Sequence, residues 1–489
     1  MSDLAVRHGR THGLFSRVTA LAAQHALLIL GITFFAVRLP FLFAGFGADT
    51  DAYRVALSGL YLWSEGEYLP SRLPGYPLHE LTTALLLWGG PFLTNLSTAL
   101  VSFAGLLLFD RIILSLKVPG RWWLLVAYGF TPWLLVNSTA TLDYHWALTA
   151  MLAAYLALIK DRPAAAGLLL GLAAGFRITA LAFALPLLVL LILQHRPDAR
   201  PRLTSVATRI GIFAIATAAV TLLCYLPVLW TYGARFWNYA PTNASPDIII
   251  QMVGQRALGV VGALVTIGVL AVSWRRLLTL PRLLRTDPHV LVWVLTIVIY
   301  TLIFLRLPVD AGYLIPIYPF AFLLVARILA RWALPVIVSA TLLSGVIDLT
   351  IQSIHNFSPT IAAREVRPSW KDAILWHDLR TRSRWHTFAE RIGAADVPPH
   401  SVVLTLGAFP AVAVNNWNQF RYTIVDRDLG AVSMLSDNGA LWDDENDIVY
   451  LAVSEPHILE QFRSEGYTIF RVEPAGPDWQ VRLVPVDGE

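Results

Sequence analysis

GADTDAYRVALSGLYLWSEGEYLPSRLPGYPLHE, residues 47–80, is the stretch on which the fold turns. It follows the first long apolar segment (19–43). It gathers Asp49, Asp51, Glu65, Glu67 and Glu80 with Arg54 and Arg72 in a chain otherwise sparing with charge. Of 489 residues, 56% are hydrophobic and 14% charged; an ordinary soluble domain carries roughly 25% charged residues. The deficit lies ahead of His355, where apolar runs of about 18–25 residues recur, each long enough to cross a hydrocarbon core of roughly 30 Å. Only helices and closed barrels satisfy their backbone in lipid, and alternating barrel strands would not give continuous apolar runs. The stretch is therefore a polar, acidic, aromatic-rich loop between membrane helices.

Its far end decides the topology. Residues 79–88 are apolar, but at about ten residues they are too short to span, and Gly89, Gly90 and Pro91 end them. A re-entrant or interfacial half-helix is expected, which extends the loop to residues 44–91. Later spans then fall at 91–116, 122–137, 143–159, 164–175, 178–193, 210–230, a segment ending at Ser273, 289–305, 312–326 and 332–351, about eleven in all. Lys117, Arg121, Lys160, Arg162, Arg196, Arg200, Arg202, Arg209, Arg275, Arg276, Arg282, Arg285, Arg327 and Arg331 land on one side, as the positive-inside rule asks; one extra crossing would scatter them. The first span is too long for a signal-peptide core and no A-x-A site follows it. With Arg7, Arg10 and Arg17 before it, the N-terminus is expected in the cytoplasm. The net charge of +4 belongs to these short loops and is no nucleic-acid signal. The single cysteine, Cys224, excludes an internal disulfide or a Cys-rich metal site.

Beyond about His355 charges become frequent and the apolar runs shorten. Residues 402–407, 421–426, 447–453 and 467–472 are expected as strands, 410–417 and 456–465 as helices, in a small external α/β domain. It carries no G-x-G-x-x-G or P-loop, so no nucleotide fingerprint is present. Residues 1–354 form the membrane module and 355–489 the soluble domain.

Asp49 and Asp51, just outside the first span, can act as a base, hold a cation, or cap the helix that follows. Asp143, in NSTATLDYHW, lies at the start of another helix on the same face; ionisable groups at membrane depth are functional suspects, and a cap is the bland alternative. His145 beside it is more simply a satisfied interfacial histidine. Arg177 interrupts apolar sequence at a tight hairpin tip, where it can snorkel or hold a phosphate with its planar fork. Arg72, Arg306 and Lys371 are further cations on that side, able to neutralise a leaving phosphate. Glu80 starts the half-helix behind the turn made by Pro74, Gly75 and Pro77. Arg306, Asp310 and Tyr313 sit at the outer interface of a late span that Pro316 and Pro319 kink or break.

With these residues the chain resembles the GT-C class of integral membrane glycosyltransferases, which includes protein O-mannosyltransferases and aminoarabinose transferases. GADTDAY resembles the acidic motif of the first external loop, SRLPGYPLHELTTALLL the Pro-rich turn and half-helix ending it, TLDYHWAL the second acidic site, and GYLIPIYPF a late-span motif. The order and spacing of the four cover most of the membrane part, and an external α/β tail fits the class. The Asp-Glu pair typical of mannosyltransferases and aminoarabinose transferases is absent, as is the WWDYG signature of oligosaccharyltransferases, so subfamily and acceptor stay open.

The resemblance implies a polyprenyl-phosphate-linked donor in a cell (inner or plasma) membrane. It implies inverting transfer of a hexosyl or pentosyl unit on the extracytoplasmic face to a glycan, lipid or protein hydroxyl. Asp51 is the expected general base and Asp49 the alternative, with Asp143 as the second acid. Arg177 matches a cation that holds the donor phosphate, supported by Arg72, Arg306 and Tyr313; Tyr53, Glu80 and His145 are expected as acceptor-side or supporting residues. A divalent ion, Mg²⁺ or Mn²⁺, is used in part of the class, and Asp49 and Asp143 are its candidate ligands. The competing function is a transporter or flippase of a lipid-linked or anionic substrate. It should show mid-span charges and inverted repeats, whereas here the acids cluster at one interface.

Overall fold

The structure is a computed structural model. It describes residues 25–66, 68–194, 203–233, 246–308, 310–352, 365–369, 373–394, 401–405, 409–415, 423–426, 440–443, 448–452, 463–464, 466, 468–474 and 481–485. Arg7, Arg10, Arg17, Glu67, Arg196, Arg200, Arg202, Lys371 and most of the helix expected at 456–465 lie outside the described residues.

The membrane part is helical throughout. Helix α1 (His25–Leu42) leads into the acidic loop. Its helix α2 (Thr50–Glu65) begins at Asp49, whose Oδ1 accepts the Asp51 N–H at 3.0 Å, and stops at Gly66 in the left-handed conformation, φ 71°. Ala52, Tyr53, Val55, Ala56 and Leu57 bury one side of α2. Helix α3 (Pro77–Leu86) starts with Pro at its first position, where the missing N–H is not needed. A short 3₁₀ turn (Leu87–Gly89) and Gly90, at φ 59° and ψ −158°, separate α3 from α4 (Gly90–Ser115). Helix α3 thus stands where the half-helix was expected at 79–88, and with α4 it makes one apolar run, Pro77–Ser115, of 39 residues.

Helices α5 (Arg121–Phe130) and α6 (Pro132–Asn137) are one expected span broken at Pro132. Helix α7 (Tyr144–Ile159) runs through the middle of the core, with Leu148, Met151, Leu152 and Tyr155 buried between α4, α8 (Pro163–Phe176) and α9 (Ala184–Leu193). A 3₁₀ turn (Ile178–Phe183) joins α8 to α9, and α10 (Leu203–Tyr232) packs along α8.

Next come α11 (Pro246–Gln251), a π-helical turn (Met252–Ala257) and α12 (Val260–Val272), with a 96° bend between the pieces on either side of Leu258. Short helices α13 (Trp274–Leu277) and α14 (Leu280–Thr286) precede α15 (Pro288–Arg306), α16 (Ile317–Ile328) and α17 (Ala333–Val346). Four described helices, α1, the run Pro77–Ser115, α10 and α15, meet the length and hydropathy of a membrane span, five if the bent pair counts as one. Five more apolar segments run 10–17 residues. The span expected to end at Ile351 is corrected: its helix stops at Val346, and Asp348–Gln352 is strand β1, paired antiparallel with β2 (Glu365–Ser369).

A 20-residue helix, α18 (Ile374–Gly393), absent from the elements expected from sequence, then lies against α6 and α17. The tail adds β3 (Ser401–Thr405), α19 (Phe409–Asn415), β4 (Thr423–Asp426), β5 (Ala440–Asp443), β6 (Ile448–Ala452), β7 (Thr468–Pro474) and β8 (Val481–Pro485). The sheet order is β5-β6-β4-β3-β7-β8, parallel across β6-β4-β3-β7 with antiparallel edges. The four expected strands are β3, β4, β6 and β7; edge strands β5 and β8 were not foreseen.

Two buried arginines tie α1 and α18 to the stretch that carries α5 and α6. Arg38 donates to Ser138 Oγ at 2.7 Å, Phe34 O at 3.0 Å and Gly129 O at 2.8 Å. Arg382 on α18, fully buried, donates to Asp378 Oδ2 at 2.6 Å, Thr139 O at 2.6 Å and Val136 O at 2.9 Å. Arg382→Leu leaves Asp378 and those carbonyls without donors, a loss of about 3–5 kcal/mol for a broken buried pair. A lowered unfolding midpoint in detergent and faster proteolytic release of the C-terminal residues are expected. An unchanged midpoint would show that α18 docks by other contacts.

Candidate active site

Two polar centres meet on the loop. The first is a cation centre. The Asp51 carboxylate pairs with Arg54 at 2.8 Å and with Arg72, and Arg72 Nε also donates to the Tyr76 hydroxyl at 2.7 Å. Asp143, just ahead of α7, makes no capping bond; its Oδ2 accepts from Arg177 Nη1 at 2.7 Å, with both side chains buried. Arg177 Nη2 donates to Tyr144 Oη at 3.0 Å. The guanidinium carbon stands 3.9, 4.6 and 5.3 Å from the ring centroids of Tyr144, Tyr313 and Tyr76, within cation–π range of all three. Arg72 likewise lies 5.2 Å from the Tyr76 centroid. Two guanidinium groups thus share one aromatic wall.

The second centre is a cavity of about 320 Å³ between α6, the start of α2, the π turn and α18. Asp49, Trp133, Arg256, Asp310, Asp378 and Trp385 line it. Asp310 joins the centres: Tyr144 Oη donates to its Oδ2, and Gly312 N donates to its Oδ1 at 2.6 Å. A Cβ at Gly312 would run into the Tyr144 ring, so glycine lets the tyrosine reach between Arg177 and Asp310.

The two loop aspartates are set apart electrostatically. Arg72 and Arg54 overcome the burial that would raise the Asp51 carboxyl, and hold it below the usual carboxylate range. Asp49 opens to the cavity, but enclosure by protein, followed by the Asp51 and Asp310 carboxylates, pushes it up to about 7. A carboxylate poised near neutrality is suited to accept a proton; one clamped by two arginines is suited to position them.

The structure therefore brings together Asp49, Asp51, Arg72, Asp143, Arg177 and Tyr313. Others stand apart. Arg306 ends α15 exposed. Glu80 is buried behind the loop, accepting from Ser71 N at 2.7 Å, Ser71 Oγ at 2.5 Å, Tyr76 N at 3.2 Å and the Tyr68 hydroxyl; it fixes the turn that presents Arg72 and Tyr76. His145 is buried with Nε2 2.9 Å from Leu134 O, and Tyr53 packs edge-on to Phe46, with ring centroids 5.5 Å apart.

The pairings also test the metal expectation. Asp143 gives an oxygen to Arg177, Asp49 gives one to the α2 N-terminus, and no group of three His, Cys, Asp or Glu that could hold an ion occurs among the described residues. Asp49 and Asp143 as placed do not fit a shared cation.

Tyr144, Arg256, Asp378 and Trp385 were not singled out from sequence, and Asp310 was placed at the interface without a role. Arg256 carried a signal, a lone arginine in the apolar stretch before Ser273. Asp378 and Trp385 carried none without the placement of α18.

Neither a family model nor a curated protein sequence matches the chain. Its fold is similar to two crystal structures of ArnT from Cupriavidus metallidurans. The first, bound to undecaprenyl phosphate, aligns at TM-score 0.53 and 13% identity over 93% of this chain and 97% of that one. The second, in the apo state, aligns at TM-score 0.53 and 13% identity over 91% and 93%. At this identity the likeness is one of fold, and the multi-pass helical architecture expected from the recurring apolar runs is the architecture found.

Proposed function

We propose that the protein is a multi-pass membrane glycosyltransferase. It would take a hexosyl or pentosyl unit from a polyprenyl-phosphate donor and pass it to an acceptor hydroxyl on the extracytoplasmic face. The observation that carries this is the juxtaposition of Asp49, exposed to the cavity, with Arg72 and Arg177 on their shared tyrosine wall. The undecaprenyl phosphate in the ArnT structure of similar fold supports a donor of that chemistry.

In this scheme the donor phosphate lies against Arg72 and Arg177, whose charges Asp51 and Asp143 hold in place. The acceptor hydroxyl gives its proton to Asp49 as its oxygen bonds to the anomeric carbon. The bond from that carbon to the phosphate oxygen breaks on the opposite face. The electron pair leaves with the polyprenyl phosphate, and the anomeric configuration inverts. Arginines at the leaving oxygen stabilise charge that grows in the transition state. This moves the base from Asp51, preferred from sequence, to Asp49, because Asp51 is committed to two arginines. Residues 1–354 would be the catalytic membrane module, with a cytoplasmic N-terminus, and 355–489 the extracytoplasmic domain.

Incubating the purified protein with a panel of polyprenyl-phosphate sugars together with hydroxyl acceptors (methyl glycosides, a serine peptide and a cell-envelope lipid extract) and following release of polyprenyl phosphate tests the proposal; no release from any donor with any acceptor would overturn it. Arg72→Ala should weaken donor binding by roughly 10- to 150-fold, the equivalent of about 1.5–3 kcal/mol for a hydrogen bond to a charged group. Unchanged affinity would remove Arg72 from the phosphate site.

A further inference from the structure

Resting on the glycosyltransferase proposal, we infer that the cavity roofed by α18 is the acceptor subsite and that the acceptor it takes is a carbohydrate. Its walls are two fixed indoles. Trp133 Nε1 donates to Ala311 O at 3.2 Å, and Trp385 Nε1 donates to Ala48 O at 3.0 Å. Their N–H groups are thereby spent, leaving apolar ring surface to the cavity. The same cavity is lined by Asp49, Asp310, Asp378 and Arg256. Flat aromatic walls carrying a few convergent polar groups suit a molecule with apolar C–H faces and a girdle of hydroxyls. Carboxylates accept from such hydroxyls and a guanidinium donates to them.

Arg256 is the group that asks for a ligand. It lies on the π-helical turn (Met252–Ala257) beside the 96° bend, the kind of helix irregularity that clusters at functional sites. It feels the Asp378 and Asp49 carboxylates yet makes no hydrogen bond or ion pair with any described residue. Asp378 is occupied by Arg382 and Asp310 by Tyr144 and Gly312. A hydroxyl donating to Asp49 would therefore have Arg256 as a donor within the same cavity. About 320 Å³ accommodates a single sugar ring, at the small end of ligand pockets of roughly 300–1,000 Å³. A peptide acceptor would look for a strand edge or an extended groove; the lining comes from helices α6 and α18, the π turn and loops.

The test is saturation-transfer NMR on the full chain in nanodiscs. The probes are the methyl glycosides of glucose, galactose, mannose and N-acetylglucosamine, set against the blocked tripeptide Ala-Ser-Ala. At least one glycoside should show transfer to its ring protons, with none to the tripeptide. The signal should fall about fivefold or more in Arg256→Ala and be largely kept in Arg256→Lys, both variants unfolding at the wild-type midpoint. A farnesyl phosphate arm separates the donor: it should bind wild type and Arg256→Ala alike. The inference is overturned if no glycoside binds, if the tripeptide binds as well, if Arg256→Ala leaves glycoside binding intact, or if Arg256→Ala loses farnesyl phosphate instead. Glycoside binding without consumption of any polyprenyl-phosphate sugar would overturn the transferase proposal and leave the carbohydrate site standing. Donor consumption without glycoside binding would do the reverse.

Discussion

Asp49→Asn is expected to lower sugar transfer by about 10²- to 10⁴-fold, the span general-base catalysis contributes, while the protein stays folded. Asn caps helices as well as Asp does, so the bond from Asp51 N to the side chain at 49 survives and the loss is confined to proton acceptance. Wild-type kcat/KM should climb about tenfold per pH unit below the Asp49 pKa of about 7 and level off above it, because the base works only when ionised. The Asn variant should lose that limb. Asp51→Asn should behave differently. It releases Arg72, so the loss should fall mainly on the KM for donor, and the pH limb, which belongs to Asp49, should persist with its midpoint lowered as a neighbouring negative charge disappears. Asp49→Asn keeping more than a tenth of wild-type turnover, or a pH limb that vanishes only in Asp51→Asn, would return the base to Asp51.

The division of labour between these aspartates shows where sequence reading stops. That residues 47–80 form an acidic loop between membrane helices was legible, because charge so concentrated in an apolar chain has nowhere else to go. The break near Gly90 was legible because Gly-Gly-Pro interrupts helical dihedrals. Which aspartate faces the cavity was not. Asp49 and Asp51 differ by two residues in sequence, and only the start of α2 at Thr50 turns one toward Arg54 and Arg72 and the other toward α18. Arg177 and Asp143 were each singled out, but their mutual bond joins residues 34 apart, a distance no local pattern encodes. The same holds for Arg382, which reaches carbonyls 243 and 246 residues away. Helix α18 was passed over because its sequence, ILWHDLRTRSRWHTFAERIG, is polar on most faces; burial of its one inward stripe depends on a bundle already built. In the membrane part hydropathy reveals the helices. Broken spans such as α5–α6 and the bent pair around Leu258 depend on what the break must present to the site.

Arg177→Ala is expected to have the largest combined effect, on stability and on donor binding at once. Asp143 is 1% exposed, and removing its partner leaves a buried carboxylate with no counter-ion, a loss of about 3–5 kcal/mol. Tyr144, Tyr313 and Tyr76 lose the Arg177 cation in the same step, and Tyr76 keeps only Arg72. Adding Asp143→Asn should restore much of that stability, because the stranded charge is then gone, and the coupling of two residues in contact appears as non-additivity of the unfolding free energies. Donor affinity should not recover, because no guanidinium returns to the phosphate. Arg177→Lys separates charge from geometry. An ammonium keeps the charge near Asp143 but lacks the planar fork that serves Asp143 and Tyr144 together, so stability should be partly kept while donor affinity and the Tyr144–Asp310 link are weakened. The measurements are unfolding midpoints in detergent and titration with a short polyprenyl phosphate. Recovered donor affinity in the Arg177→Ala/Asp143→Asn double variant would show that Arg177 is structural and that the phosphate is held by Arg72 without it.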